Sequence, residues 1–374
     1  MAEIADRGGT IPFARFMELA LYHPAFGYYM AKTRRPGRGG DFITSPEATP
    51  LFGHALARQF AEFWERLGQP AQWSIREFGA GVGGLSYDIM AGLDVEAPGA
   101  FEALTYHLAE INPAMRAEAG SSMTKAGLRR KIVVEDPSRS LPKISGAILG
   151  NEVADAFPVH RLVRAKSDWM ESMVAWSDDG FTWLPGSLTE DARVALADLE
   201  REGIELPPGS IVDICPAAGR WFAGALSTLS RGYAMIIDYG YPARELFRSH
   251  RLQGTLRGYQ GHTVTDDPLI RVGEQDLTAH VDFTALQRAG ASVGFQMEGF
   301  TTQGALLSSL DLGDALLRLQ SDPDATTEEY LATQAVVMRL IDPGGLGRFG
   351  VMIMSRGVTG DHRLRGFRDA PPSF

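Results

Sequence analysis

Residues 73–85, Trp-Ser-Ile-Arg-Glu-Phe-Gly-Ala-Gly-Val-Gly-Gly-Leu, place a carboxylate beside closely spaced glycines. A short apolar run ends in Glu77, glycines follow at Gly79, Gly81, Gly83 and Gly84, and a helix-like run starts at Leu85. Strand, glycine turn and helix make the first unit of a Rossmann-type nucleotide site. Glycine permits the tight turn and lets backbone come close to a ligand. The glycines alone leave three readings open. Gly79, Gly81 and Gly84 satisfy the dinucleotide pattern Gly-x-Gly-x-x-Gly. The acid at the strand end, in Glu-x-Gly-x-Gly-x-Gly, favours S-adenosylmethionine. A turn with no ligand is the third. A second acid narrows them. Residues 104–110, Leu-Thr-Tyr-His-Leu-Ala-Glu, read as a strand ending in Glu110. A carboxylate there accepts from both hydroxyls of a ribose, usually about 20 residues after the glycines. The longer gap here is assigned to an added loop at 92–100, and a solvated loop acid is the plainer reading of Glu110. Nothing resembles the His or Cys pair that hydride transfer would use.

Composition fits a globular enzyme. The 374 residues suffice for two ordinary domains or one large domain with insertions. Lys and Arg number 36 against 46 Asp and Glu, a net charge of −10. An acidic chain is a poor nucleic-acid binder, because phosphate contacts need clustered cations. The single Cys215 excludes an intramolecular disulfide and a cysteine-rich zinc site, and no metal is expected. No signal-like segment and no spanning apolar run is read, so the expected localisation is cytoplasmic.

The elements that must hold these residues alternate as in an α/β fold. Residues 10–24 and 47–67 read as amphipathic helices around a basic, glycine-rich stretch at 31–41. Strands are expected at 73–78, 104–110, 131–134 and 146–151, with helices at 83–91 and 113–126. Alternating apolar residues and Asp178-Asp179-Gly180 predict a β-rich insertion with a hairpin at 160–185. Helices follow at 190–203 and 216–230, then a buried parallel strand at 233–238. Asp282 is a candidate cap for a helix at 282–290, and strands at 295–301 and 349–355 end the pattern. The organisation expected is a helical and lid segment at 1–70, a Rossmann-like core at 71–160, a β-rich insertion at 161–205, core again at 206–240, an insertion at 241–281, and the rest of the core at 282–374.

Several segments resemble the MidA-like family of S-adenosylmethionine-dependent methyltransferases. They are Tyr22-His23-Pro24-Ala25-Phe26-Gly27-Tyr28-Tyr29, Gly40-Asp41-Phe42-Ile43-Thr44-Ser45-Pro46-Glu47, Glu77-Phe78-Gly79-Ala80-Gly81 and the stretch from Asn151 to His160. Ile214-Cys215-Pro216, Ile237-Asp238-Tyr239-Gly240-Tyr241 and Leu277–Phe283 complete them. Val82 and Ala154 depart from the residues usual in relatives. The resemblance implies a seven-stranded sheet with helices on both faces, a helical N-terminal extension, and insertions over the active site. It implies S-adenosyl-L-methionine as cofactor. Mitochondrial members are protein arginine methyltransferases that help assemble respiratory complex I. An acceptor protein with an exposed arginine, such as a complex I subunit, is therefore the implied partner.

Roles follow as expectations. The loop Gly79-Ala80-Gly81 to Gly83 faces the methionine end of the cofactor, Glu77 meets its amino group, and Glu110 with Ile111 takes the ribose side. Asp136 is either an adenine contact or a turn residue before Pro137. Thr44, Ser45 and Pro46 border the cofactor as part of a lid, or Ser45 caps a helix. A guanidinium is protonated in water, with a pKa of about 12.5 or more, and needs carboxylates to orient it and accept its proton. Glu152 and Asp155 are the candidates, with Asn151 and Glu152 alternatively on the cofactor and Asp155 alternatively a cap. His160 is a candidate base or a structural histidine, and Asp238 and Tyr239 are candidate substrate contacts. A small-molecule methyltransferase and a non-catalytic assembly factor are the competing functions.

Overall fold

The computed structural model describes residues 1–31, 49–248, 251–261, 263–358 and 363–368. The chain divides into two units. Met1–Phe42, Ala154–Phe222 and Gly240–Ala289 make the first, and Ile43–Val153, Ala223–Tyr239 and Gly290–Phe374 the second.

In the second unit, seven strands form one sheet among the described residues. They are β1 (Trp73–Phe78), β2 (Leu104–Ala109), β3 (Ile132–Glu135), β4 (Ile144–Asn151), β5 (Leu229–Asp238), β6 (Gln296–Thr302) and β7 (Gly350–Arg356), in the order β6-β7-β5-β4-β1-β2-β3. β1 runs parallel to β2 and β4, β2 to β3, and β4 to β5, whereas β7 is antiparallel to β5 and β6. The strand order reverses between β1 and β4. Open α/β sheets bind ligands at such a point, outside the carboxyl ends of the strands. The inner strands are mostly apolar because both sheet faces are covered, and Ile75, Tyr106, Leu108, Ala147, Leu149 and Ile237 are fully buried. Helix α1 (Pro50–Arg66) starts with Pro50 at its first turn and Thr49 Oγ1 accepting from the Leu51 N–H. It buries Phe52, Leu56, Phe60 and Phe63, and the Phe63 ring stacks on Tyr233 of β5 at 4.2 Å. Helices α2 (Gly84–Glu96) and α3 (Pro113–Lys125) follow β1 and β2. The expected loop at 92–100 is instead the end of α2 and a short helix Pro98–Glu102, which Pro98 opens.

The first unit has its own sheet. Strands Thr10–Pro12, Trp169–Ser177, His160–Arg164 and Ile211–Ile214 lie in that order, and Gly180–Gly186 pairs with Trp169–Ser177 as the hairpin read from Asp178-Asp179-Gly180. The helix expected from residue 10 starts only at Phe13, because Thr10–Pro12 is drawn into register with Met173–Ala175. Phe13, Phe16 and Met17 pack with Val174 and Leu277 in one core cluster, and Phe13 meets the Trp183 ring at 5.0 Å. The stretch expected as an irregular insertion holds a short helix, Ala243–Leu246, and three short strands with Arg257–Gln260 between Thr263–Thr265 and Asp276–Thr278. Asp282 does cap the helix Phe283–Ser292, accepting from Thr284 N at 2.9 Å and Ala285 N at 3.1 Å. Among the described residues, no helix is long and apolar enough to cross a membrane.

Candidate active site

β1 delivers Glu77 and Phe78 to the carboxyl edge of the sheet, where the chain turns through Gly79 (φ 70°), Gly81 (φ 54°) and Gly83 (φ 89°) before α2. Two of these glycines are required for different reasons. A Cβ on Gly79 would lie 2.6 Å from Val153 Cγ2, so the loop can pack against the end of β4 only without a side chain there. A Cβ on Gly81 would meet no atom of the described residues within 4 Å, so there it is the φ of 54°, and not contact, that favours glycine. The sequence reading has the loop amides facing a ligand; the structure has most of them shaping the loop. Gly79 N and Ala80 N donate to Ala109 O, Gly83 N to Ala80 O, and Gly81 N to Glu110.

Glu110 closes this arrangement. Its Oε2 accepts from Gly81 N at 2.9 Å and its Oε1 from Asn112 N at 2.8 Å. Asn112 caps α3 through Oδ1, with Pro113 at the first turn. Arg116, one turn into that helix, donates to the carbonyls of Glu110 and Ile111 at 2.5 and 2.7 Å. Burial raises the Glu110 carboxyl above its usual range, against the lowering effect of the Asn112 and Gly81 amides. Beside it Ile111 leaves 40% of its surface exposed, an apolar face next to an acid. Asn112 and Arg116 did not enter the sequence reading, although Asn-Pro at the start of a helical run is a legible cap.

Glu77 lies beneath the loop, 4% exposed, and accepts from the Tyr106 hydroxyl at 2.9 Å. Burial pushes its carboxyl up to about 8, with the Glu110 charge adding to the rise and the Tyr106 bond opposing it. An unfolded glutamate ionises near 4.5, so between that pH and about 8 the unfolded chain has lost a proton that the fold retains. Glu77 therefore costs the ligand-free protein stability, on the order of a few kcal/mol, as pH rises through that window. Glu77→Gln is expected to flatten this fall. Thermal melts of both proteins across the window check it, and parallel curves would show Glu77 ionised in the fold.

β4 ends in Asn151 and the chain turns at Glu152, a non-glycine residue at φ 52°. Among the described residues Asn151 Oδ1 is buried without a hydrogen-bond partner, and Asn151 Nδ2 donates to Glu152 Oε1 at 3.3 Å. The turn is held by Asp238, whose carboxylate accepts from Val153 N at 3.0 Å and Tyr239 N at 2.8 Å. The expectation of Asp238 as a substrate contact is corrected by this geometry: the residue is 0% exposed and acts as a clamp on backbone. Tyr239 packs on Phe349, with Arg348 4.4 Å over its ring. At the end of β3, Asp136 accepts from the Ser138 N–H and hydroxyl and pairs with Arg116 at 3.1 Å, the geometry of a turn anchor.

The other expected residues are elsewhere in the chain's division. Asp155 and His160 belong to the first unit. His160 is 8% exposed, and its Nδ1 lies 2.6 Å from Glu171 Oε1 and 3.2 Å from Thr189 Oγ1, contacts that tie it to the neighbouring strand and to the cap of the helix after Thr189. Thr44, Ser45 and Pro46 lie outside the described residues. Among the described residues, no group of three His, Cys, Asp or Glu could hold a metal ion.

What this site can hold is a ligand with a diol for Glu110, a donor for Asn151 Oδ1, and an apolar face for Ile111. Residues 55–301 match the model of a family described as S-adenosyl-L-methionine-dependent methyltransferase. The chain is 28% identical to the Drosophila melanogaster protein arginine methyltransferase NDUFAF7 homolog, mitochondrial, over 95% of this chain and 83% of that protein. It is 27% identical to the Danio rerio protein arginine methyltransferase NDUFAF7, mitochondrial, covering 86% of this chain and 78% of that one. A Burkholderia thailandensis structure with S-adenosyl-homocysteine bound superposes with a TM-score of 0.87 at 32% identity, covering 99% of this chain and 93% of that one.

Proposed function

Since the chain belongs to the S-adenosyl-L-methionine-dependent methyltransferase family, we propose that it is a protein arginine N-methyltransferase. The observation that carries the choice of acceptor is the match, along 95% of the chain, to a relative named a protein arginine methyltransferase. Bound S-adenosylmethionine would supply an electrophilic methyl on a sulfonium. The chain's own residues would do the rest. Glu110 accepts the ribose hydroxyls, Ile111 covers the adenine side, and Asn151 Oδ1 and Glu77 receive the ammonium group. Gly79 and Gly81 leave the space. Glu152 orients the guanidinium and accepts the proton it must lose, a role for which its position at the end of β4, bonded to Asn151, supports the assignment. A subunit of respiratory complex I is the specific acceptor we favour, from the family resemblance.

The test is transfer of a labelled methyl group from S-adenosylmethionine to protein, followed by acid hydrolysis. Label recovered as methylarginine supports the proposal. Label in small molecules would favour the small-molecule enzyme, and no transfer despite cofactor binding would favour the assembly factor. Glu152→Gln is expected to lower turnover about a hundredfold or more while S-adenosylhomocysteine still binds. Full activity in that variant would move the proton acceptor elsewhere.

A further inference from the structure

We propose that a groove at the amino-terminal edge of the seven-stranded sheet, remote from the cofactor loop, binds a phosphate group. The groove has a volume of about 760 Å³ and opens where β1, β2 and β4 begin. β1 carries six residues at roughly 3.3 Å each, so this edge and the loop after Phe78 are separated by the length of the strand. Three cations line the groove: Arg130, Lys131 and Lys143. The chain as a whole is acidic at −10, so a concentration of cations at one edge is a local feature and not the average surface. Arg130 and Lys143 are exposed. Lys131 Nζ is partly engaged by the carbonyls of Phe101 and Glu102 and lies 3.7 Å from the Glu102 carboxylate. Ser74 and Thr105 add hydroxyls.

The second observation is Arg76, which lies on the same sheet face as the groove residues Ser74, Thr105 and His107. Ser74 pairs with Thr105 and Arg76 with His107 across β1 and β2. Strand side chains alternate, so these four share one sheet face. Arg76 is 0% exposed. Its Nε and Nη2 grip Glu135 at 2.7 and 2.9 Å, and Nη2 also donates to the carbonyl of Pro142, which lines the groove, at 3.0 Å. Nη1 has no partner. A buried guanidinium N–H left unpaired is costly, and an oxyanion is the ligand that satisfies it with charge assistance. Glu135 does not compete for that ligand's place, because its two oxygens are taken by Arg76 and His107. A buried N–H donor thus shares the sheet face of the groove, the groove's own lining offers hydroxyls and cations, and the volume accommodates more than a bare anion.

The experiment is calorimetric titration of the full chain with inorganic phosphate and, separately, with O-phosphoserine, at constant ionic strength with sodium chloride as control. Saturable binding of either anion at one site per chain is expected. Tighter binding of the ester assigns the groove to a phosphate ester, and tighter binding of inorganic phosphate assigns it to the free ion. Arg76→Met risks the fold, so the deciding variant is Arg130→Ala with Lys143→Ala, both exposed and outside the cofactor site. It is expected to weaken phosphate binding on the order of tenfold or more and to leave S-adenosylhomocysteine affinity unchanged. No binding beyond the chloride control, or equal binding by the double variant, would overturn the proposal.

Discussion

Gly81→Val is expected to abolish cofactor binding, weakening S-adenosylhomocysteine on the order of a hundredfold or more. Two effects add. A β-branched residue at φ 54° is a steric outlier, since left-handed backbone costs an L-residue about 1–2 kcal/mol. The side chain also projects where, among the described residues, no atom beyond its chain neighbours lies within 4 Å, and under the proposed function the ligand occupies that space. Gly81→Ala separates the two, because it carries the backbone cost with only one methyl group in that space. Affinities of the three proteins by calorimetry, with thermal melts to establish folding, check the order glycine, alanine, valine. Equal affinity for valine and glycine would mean that the ligand lies elsewhere.

The second large effect is expected at Glu110. Glu110→Ala removes the carboxylate proposed to accept the ribose hydroxyls and strands the N–H groups of Gly81 and Asn112 together. Charge-assisted bonds of this kind are worth about 1.5–3 kcal/mol, so affinity should fall roughly 10- to 100-fold. Stability should fall as well, because the glycine loop and the cap of α3 lose their common anchor. Glu110→Gln keeps one acceptor oxygen and is expected to fall between the two. Titration of each variant with S-adenosylhomocysteine measures this. An unchanged dissociation constant for the alanine variant would show that another residue holds the ribose and that Glu110 serves the loop alone.

What the sequence made legible is what local pattern determines. β1, β2, β4 and β5 are largely apolar runs of strand length with Glu77, Glu110, Asn151 and Asp238 at or just past their carboxyl ends, and the positions of these residues on one edge follow from the parallel sheet. Asp282 was readable as a cap because a cap is a local bond. The rest depends on partners far along the chain. Thr10–Pro12 is a strand because it pairs with Met173–Ala175, which no short window reveals. Ile211–Ile214 was not read as a strand, and it exists through its register with His160–Val163. The helices Gln303–Ser309, Asp314–Ser321 and Thr327–Ile341 also went unread, although Thr326 and Glu329 form a capping box. Asp238 looked like a ligand contact because acids at strand ends often are. Its bond to Val153, 85 residues away in sequence, gives it a backbone to hold instead. Arg76 reads as a charge next to Glu77 in a short strand, and only the sheet register sets it beside His107 and Glu135.

The most direct test of the account is calorimetric titration of the purified protein with S-adenosylhomocysteine, with NADH as control and Gly81→Val alongside. The account predicts saturable binding of S-adenosylhomocysteine at one site per chain, no binding of NADH, and loss of the signal in the variant. Binding of NADH alone, or of S-adenosylhomocysteine equally to both proteins, would contradict it.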